Sequence, residues 1–382
     1  MRMPFNKQYP SVEDLRTRAQ QKIPRFAFEY LDGGCNEDVN LHRNTSDIRK
    51  LTLEPRYIRP YTKSDLSTSL FGHTYDAPFG IAPVGLQGLM WPNSPKILAQ
   101  AAKEHNIPFI LSTVTTLDIE EACKITDGKA WFQLYNPAEE AIRNDIIDRA
   151  QQAGCEVLVL LCDVPTFGYR PRDYKNGLAL PPKMSMANIL QILSRPHWAL
   201  QTLKHGIPTF ETLRPYQPEG LNLRQLGAFM DKTFSGRLNA ERIKPIRDRW
   251  KGKLVLKGVA SVEDTKAAIE LGFDGIIVSN HGGRQLDAGE SSITALRKIV
   301  EQYSNKITIM QDSGMRSGPD IARCLSAGAD FTFLGRAFMY SVAALGKKGG
   351  EHAIDMFKTQ LRQNLEQLCC ERISDLRSHL TN

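Results

Sequence analysis

The sequence predicts an α/β fold of the (β/α)8 TIM-barrel type, with an N-terminal helical extension and a long insertion after strand 4. Three observations predict it. Eight short apolar, β-branched runs recur at residues 79–85, 108–112, 130–135, 157–163, 253–258, 275–280, 307–312 and 331–336. Their hydrophobicity is continuous and does not alternate, which marks strands covered on both faces, as in a parallel sheet. Successive runs mostly begin 22 to 32 residues apart, the length of one β–α unit. Eight such units point to a closed barrel over an open sheet.

Taken in order, the first 75 or so residues read as a helical and loop extension packed on the barrel. Between the strands lie amphipathic stretches with start and stop signals. Residues 261–272 (SVEDTKAAIELG) begin with a capping Ser, carry acids in the first turn and end in Gly. Residues 318–328 (GPDIARCLSAG) have Pro near the start and Gly at the end. Between the starts of the fourth and fifth runs lie 96 residues, far more than one unit needs. Residues 180–245 therefore form an insertion over a strand end, where lids and partner-binding segments sit. The tail from about 340 reads as helix, and residues 1–382 as one domain.

Composition narrows the class. The 382 residues are 41% hydrophobic and 24% charged, which excludes wholesale disorder. The net charge of +7 is spread along the chain, without the basic, aromatic-interleaved stripe that nucleic acid calls for. Seven scattered cysteines include no CxxC, so no zinc ribbon or disulfide framework is indicated and a reducing, cytoplasmic setting is expected. The other histidines show no metal-ligand spacing. No GxGxxG follows a strand and no Walker loop is present, so nicotinamide and nucleotide-triphosphate sites are unsupported.

In a barrel, chemistry gathers at the C-terminal strand ends. Those ends carry Ser112, Gln133, Tyr135, Asp163, Lys257, Ser279, His281, Asp312, Gly335 and Arg336. The densest signal is SNHGGRQLD at residues 279–287. A His there can serve as a general base near neutral pH, and Arg284 can grip a carboxylate in a bidentate fork. An isolated HxxR is usually a turn histidine beside a surface cation. The whole nonapeptide speaks for the functional reading.

With these pieces the chain resembles the FMN-dependent L-2-hydroxy-acid oxidases and dehydrogenases, a family that includes glycolate oxidase, L-lactate dehydrogenase and mandelate dehydrogenase. The resemblance runs from about residue 24 to 346. It rests on SNHGGRQLD together with IAPVGLQG (81–88), FQLY (132–135), the Asp-x-Pro at 163–165, VLKGV (255–259), DSGMRSG (312–318) and LGRAF (334–338). With RPHW (195–198) in the insertion, the pattern is nearest the bacterial respiratory L-lactate dehydrogenases.

The resemblance implies a set of roles. His281 corresponds to the base that takes a proton as the substrate Cα–H bond breaks, Asp163 to the carboxylate that stabilises its imidazolium, and Tyr135 to the tyrosine near the substrate hydroxyl. Arg284, Arg170 and Tyr30 would hold the substrate carboxylate. Lys257 corresponds to the lysine beside the flavin N1 and O2 edge. Pro83, Val84 and Gly85 would contact the ring, and Ser112, Gln133 and Ser279 its heteroatoms. Asp312 would bind the ribityl chain, with Gly314, Arg316, Gly335 and Arg336 around the phosphate. No metal is implied.

Three positions depart from the pattern. Leu161 replaces a common Thr, Val114 replaces the Trp of glycolate-oxidase-like members, and Gly85 replaces the Ala of many oxidases. Val114 enlarges the pocket, so a lactate-like or bulkier substrate is expected. The expected second acceptor is a quinone or another carrier. Alternatives are an oxidase that reduces O2 to H2O2 and a barrel akin to the FMN-dependent isopentenyl diphosphate isomerase. The family also implies a homotetramer. Residues 183–203 are apolar at helical spacing with a few cations, which suits either a docked lid helix or peripheral contact with the inner face of the cell membrane.

Overall fold

A computed structural model of the chain describes residues 5–179, 183–206, 208–218, 229, 233–234 and 237–381. Among the described residues ten strands are present: β1 (Thr68–Leu70), β2 (His73–Tyr75), β3 (Phe79–Ile81), β4 (Phe109–Ser112), β5 (Ala130–Leu134), β6 (Val157–Leu161), β7 (Lys253–Val259), β8 (Gly275–Val278), β9 (Thr308–Gln311) and β10 (Phe331–Leu334). β3 to β10 close a parallel barrel, sealed where β10 pairs with β3. Each of the eight apolar runs forms one of these strands. Alternate residues divide between two cores. Trp131, Val159, Val255, Ile277, Met310 and Phe333 fill the barrel interior, while Phe109, Phe132, Leu158 and Ile276 pack outward under the helices.

β1 and β2 form an antiparallel hairpin that plugs the N-terminal mouth of the barrel. Phe71 at its tip lies 5.7 Å from the Trp131 ring, and Tyr75 lies 5.8 Å from Phe331. The turn places both Phe71 and Gly72 at positive φ (52° and 89°), the geometry of a two-residue hairpin whose strand twist matches.

The N-terminal extension contains α1 (Val12–Lys22), α2 (Arg25–Asp32) and α3 (Val39–Lys50). Ser11 and Asp14 form a capping box at the start of α1, which packs on the helix Arg336–Leu345. Of the insertion, residues 180–182, 207, 219–228, 230–232 and 235–236 lie outside the described set. The rest carries helices Met186–Leu193 and Pro196–His205, a 3-10 turn at Glu211–Tyr216 and the helix Ala240–Arg249. The amphipathic pattern over residues 183–203 is therefore two helices. Pro196 lacks the N–H needed to continue the first helix and restricts Arg195, so the chain breaks there and restarts with Pro in its first turn. Among the described residues, no helix is long and apolar enough to cross a membrane.

Candidate active site

At the C-terminal end of the barrel the strand ends surround a cavity of about 1020 Å³, its open mouth included. Its chemistry begins with a bulge. β7 loses register with β8 between Lys257 and Val259, and Gly258 sits at φ 101°. A Cβ on Gly258 would meet the Asp163 Cβ at 2.5 Å, so only glycine lets the loop after β6 lie against β7. Lys257 consequently points inward. Its Nζ lies 3.0 Å from Asp312 Oδ2 and donates to Ser279 Oγ at 3.1 Å. Burial acts to lower the Lys257 ammonium, but Asp312 and Asp163 outweigh it and hold the group charged, above its ordinary value.

His281 follows β8 at φ 56°, with its backbone N–H on Ser279 Oγ. Its Nδ1 lies 3.1 and 3.2 Å from the two oxygens of Asp163. The carboxylate fixes the ring: Nδ1 carries the proton, and the Nε2 lone pair is left for another partner. Burial pushes Asp163 upward, yet the charges of His281 and Lys257 leave it below its usual range. Burial also depresses His281, and the pull of Asp163 in the other direction does not overcome it. His281 is thus neutral near pH 7, in the protonation state of a base.

Arg284 is held on one side only. Its Nη1 donates to the carbonyls of Tyr30 (2.7 Å) and Gly33 (2.8 Å) at the end of α2, and its guanidinium lies 5.0 Å from the Tyr30 ring centroid. Among the described residues, Nε and Nη2 make no protein hydrogen bond, and Arg284 lines the cavity. Burial and the nearby Arg170 push this guanidinium down to about 10. Arg336 is gripped more fully, donating to the carbonyls of Leu31, Gly282 and Gly33 at 2.8–2.9 Å. Burial, Arg284 and Arg316 push it down to about 9. Burial and mutual repulsion of this kind make the cluster receptive to an anion.

The structure brings most of the sequence-predicted residues to this cavity. Tyr30, Pro83, Val84, Gly85, Tyr135, Arg170, Lys257, His281, Arg284, Asp312, Gly314, Arg316, Gly335 and Arg336 all line it. Asp163 stands one layer behind, against His281. Ser112, Gln133 and Ser279 are buried beneath the lining: Ser279 serves Lys257 and His281, and the Ser112 hydroxyl accepts from the Val114 N–H at 3.4 Å. Among the described residues, Arg170 Nε is buried without a hydrogen-bond partner, its Nη2 donates to Gln285 Oε1 at 3.4 Å and its Nη1 lies 3.8 Å from Asp173 Oδ2.

Sequence reasoning missed Gln285. Its amide donates to the carbonyls of Asp163 (3.0 Å) and Thr166 (2.9 Å), so it ties the loop bearing Asp163 to the loop bearing His281. The signal was its place inside the nonapeptide. Met90, Val164 and Phe167, which form apolar wall beside Val114, were missed as well. They are loop and helix-end residues whose direction no periodicity reveals. Among the described residues, no group of three or more His, Cys, Asp or Glu side chains is placed to hold a metal ion.

Comparison with known proteins decides the family. Residues 19–382 match the FMN-dependent dehydrogenase family. The chain belongs to that family. Among its relatives, an L-lactate dehydrogenase of Bartonella tribocorum is 37% identical over 372 residues, covering 95% of this chain and 97% of the relative. One from Haemophilus influenzae is 37% identical over 368 residues, covering 96% of each. Of solved structures, an (S)-mandelate dehydrogenase described as a monotopic membrane protein superposes with a TM-score of 0.93 at 33% identity, covering 99% of this chain and all of the other. A mandelate oxidase gives 0.82 at 29%, covering 98% of each. As an FMN-dependent dehydrogenase the chain needs room for a flat ring at one end of its site and a dianion at the other. The cavity fits: it holds a buried ammonium at Lys257 and the Pro83–Val84–Gly85 wall, and Arg316 and Arg336, which follow β9 and β10 where barrels take phosphate, add two cations.

Proposed function

We propose that this protein oxidises an L-2-hydroxy acid to the 2-oxo acid and passes the electrons to a quinone-type carrier at a membrane surface. One observation carries the reading: a neutral His281 backed by Asp163 shares a cavity with Arg284, whose Nε and Nη2 are left for a carboxylate. FMN, when bound, takes up the two electrons released as the substrate Cα–H bond breaks. The chain supplies the rest. Nε2 of His281 takes a proton from the substrate, and Asp163 stabilises the imidazolium that forms at Nδ1. Arg284 holds the carboxylate in a fork, with Arg170 the second cation and the Tyr30 ring fixing the guanidinium plane. Tyr135 stands beside this group; burial and Asp163 raise its hydroxyl above the ordinary tyrosine range, so it stays protonated and donates to the substrate hydroxyl.

For the cofactor, Lys257 would sit at the ring's N1 and O2 edge, where its charge favours the reduced form. Pro83, Val84 and Gly85 would back the ring, with Ser112, Gln133 and Ser279 beneath its polar edge. Asp312 would hold the ribityl chain, and Gly314, Arg316, Gly335 and Arg336 the phosphate. The wall of Val114, Met90, Val164 and Phe167 admits a substrate of lactate size or larger.

Peripheral membrane contact is supported by the two insertion helices, which expose Met186 (72%), Leu193 (69%), Leu200 (65%) and Leu203 (80%) to solvent. An apolar face of this size on a basic segment suits a lipid interface. The test of the reading is the visible spectrum of the holoenzyme under argon as L-2-hydroxy acids from lactate to aromatic ones are added. Bleaching by at least one acid is expected. A flavin band that none of them bleaches overturns the reading and favours an isomerase-like barrel. Fast reoxidation on admitting air would place the enzyme among the oxidases.

A further inference from the structure

A second, larger cleft lies outside the cavity described above. Its walls are the helix Ser94–Glu104, the insertion helix Pro196–His205, and the turn that follows Arg336–Leu345. About 1820 Å³ of empty space lies in it, its open mouth included. Two features set it apart. The first is a contiguous ladder to the active site. Met90 lines the active-site cavity, and the next residue, Trp91, lines the cleft. His197 then stacks on Trp91 at 5.5 Å between ring centroids and 24° between planes, and is itself exposed in the cleft. The insertion helix is pinned in this place by Trp198, whose Nε1 donates to the Met90 carbonyl at 3.2 Å.

The second feature is the character of the flanking insertion helices and of the lining charge. The helix that carries His197 into it also presents Leu200 and Leu203 outward, and the neighbouring helix adds Met186, Leu190 and Leu193. Five lysines line the cleft against two glutamates, Glu104 and Glu351. An aromatic platform, surplus positive charge and an apolar flank together match a flat ring with carbonyl oxygens and a lipid-soluble tail, whose reduced form carries negative charge before it is protonated. A nucleotide would use the charge but leave the apolar flank unexplained.

We infer that this cleft is the docking site of the second substrate, a quinone, and that electrons reach it through Met90, Trp91 and His197. The inference rests on the acceptor proposed above. Per hydroxy acid oxidised, two electrons and two protons leave the substrate. The electrons cross the one-residue wall, the protons leave from the active-site cavity, and the quinone takes up two electrons and two protons from water in the cleft. One hydroquinone forms per oxo acid.

The test uses the holoenzyme with its flavin reduced by dithionite, so that it does not depend on which hydroxy acid is the substrate. A short-chain ubiquinone analogue and dioxygen serve as alternative oxidants. Gln201→Trp fills the cleft from a half-buried position on the insertion helix. Lys347→Glu with Lys348→Glu reverses charge on the opposite, exposed side. Both variants are expected to slow reoxidation by the quinone at least tenfold and to leave reoxidation by dioxygen within twofold. Independently of turnover, a photoactivatable azidoquinone should label residues 91–97 or 196–205, read by mass spectrometry of the digested protein. Unchanged quinone reoxidation in both variants, or label found only on active-site cavity residues or nowhere, overturns the inference. Flavin that no hydroxy acid bleaches, with the labelling intact, would instead fault the proposed substrate and leave the cleft standing.

Discussion

His281 occupies a backbone conformation that few non-glycine residues adopt, and the strain is balanced by Ser279 Oγ on its N–H and Asp163 on its ring. The arrangement fixes which nitrogen is basic. It also sets a pH dependence. A base works only when unprotonated, and burial depresses the His281 pKa against the opposing pull of Asp163. The rate of flavin reduction should therefore be flat through neutral pH and fall only on the acid side, below about 6.5, the ordinary histidine value. Asp163→Asn removes the charge that pulls the pKa up. Its acid limb should move to still lower pH, while the plateau drops roughly 10²-fold or more because the imidazolium loses its partner. Stopped-flow reduction between pH 5 and 8 reads both effects. A limb that moves to higher pH in the variant would show that Asp163 does not face the working base.

At the scale of elements, α2 does the work that its sequence conceals. Its last carbonyls, from Tyr30 to Gly33, accept from Arg284 and Arg336, which places two cations at the negative end of a helix. Backbone carbonyls carry no residue signature, so these contacts between residues 251 to 305 apart in sequence were not legible. The role expected of Tyr30 came only from the family resemblance. The hairpin plug was hidden for a related reason: Phe71-Gly72 lacks the Asn-Gly or Asp-Gly signal that marks such turns. What anchors α2 is Asp32. It accepts from Arg16 Nε at 2.6 Å and Nη2 at 2.9 Å, and from the Tyr340 hydroxyl at 2.7 Å. Burial raises this carboxyl, but Arg16 and Tyr340 keep it below its ordinary range. Asp32→Asn should cost about 1–3 kcal/mol of stability by weakening a charged, half-buried network. It should also raise KM for the hydroxy acid several-fold with a smaller change in kcat, because the arginine fork loses its fixed seat. Thermal melts with steady-state kinetics separate the two. A melt shift without a KM change would confine Asp32 to a structural role.

Across the whole molecule, the barrel was legible because each strand is buried on both faces and the repeat length is fixed by one β–α unit. The insertion was legible only as an interruption of that repeat. Its helices Met186–Leu193 and Pro196–His205 leave Leu190, Leu193, Leu200 and Leu203 between 63% and 80% exposed, in a protein whose other large apolar side chains mostly pack into two continuous cores. None of the four lines the active-site cavity. A leucine moved fully out of water gains roughly 1.5–3 kcal/mol. Partial insertion of four therefore amounts to about 4 kcal/mol, close to a thousandfold in partition. Replacing all four with Ser should lower binding to vesicles of phosphatidylcholine with an anionic lipid by about 10²–10³-fold, measured by co-sedimentation. The wild type should stay largely bound in high salt, since apolar burial is not screened as the flanking cations are. Anaerobic flavin bleaching by the hydroxy acid should be the same in both proteins, because the change lies outside the cavity. If the two proteins sediment alike, the exposed face does not meet lipid, and the apolar side chains must be covered by protein instead.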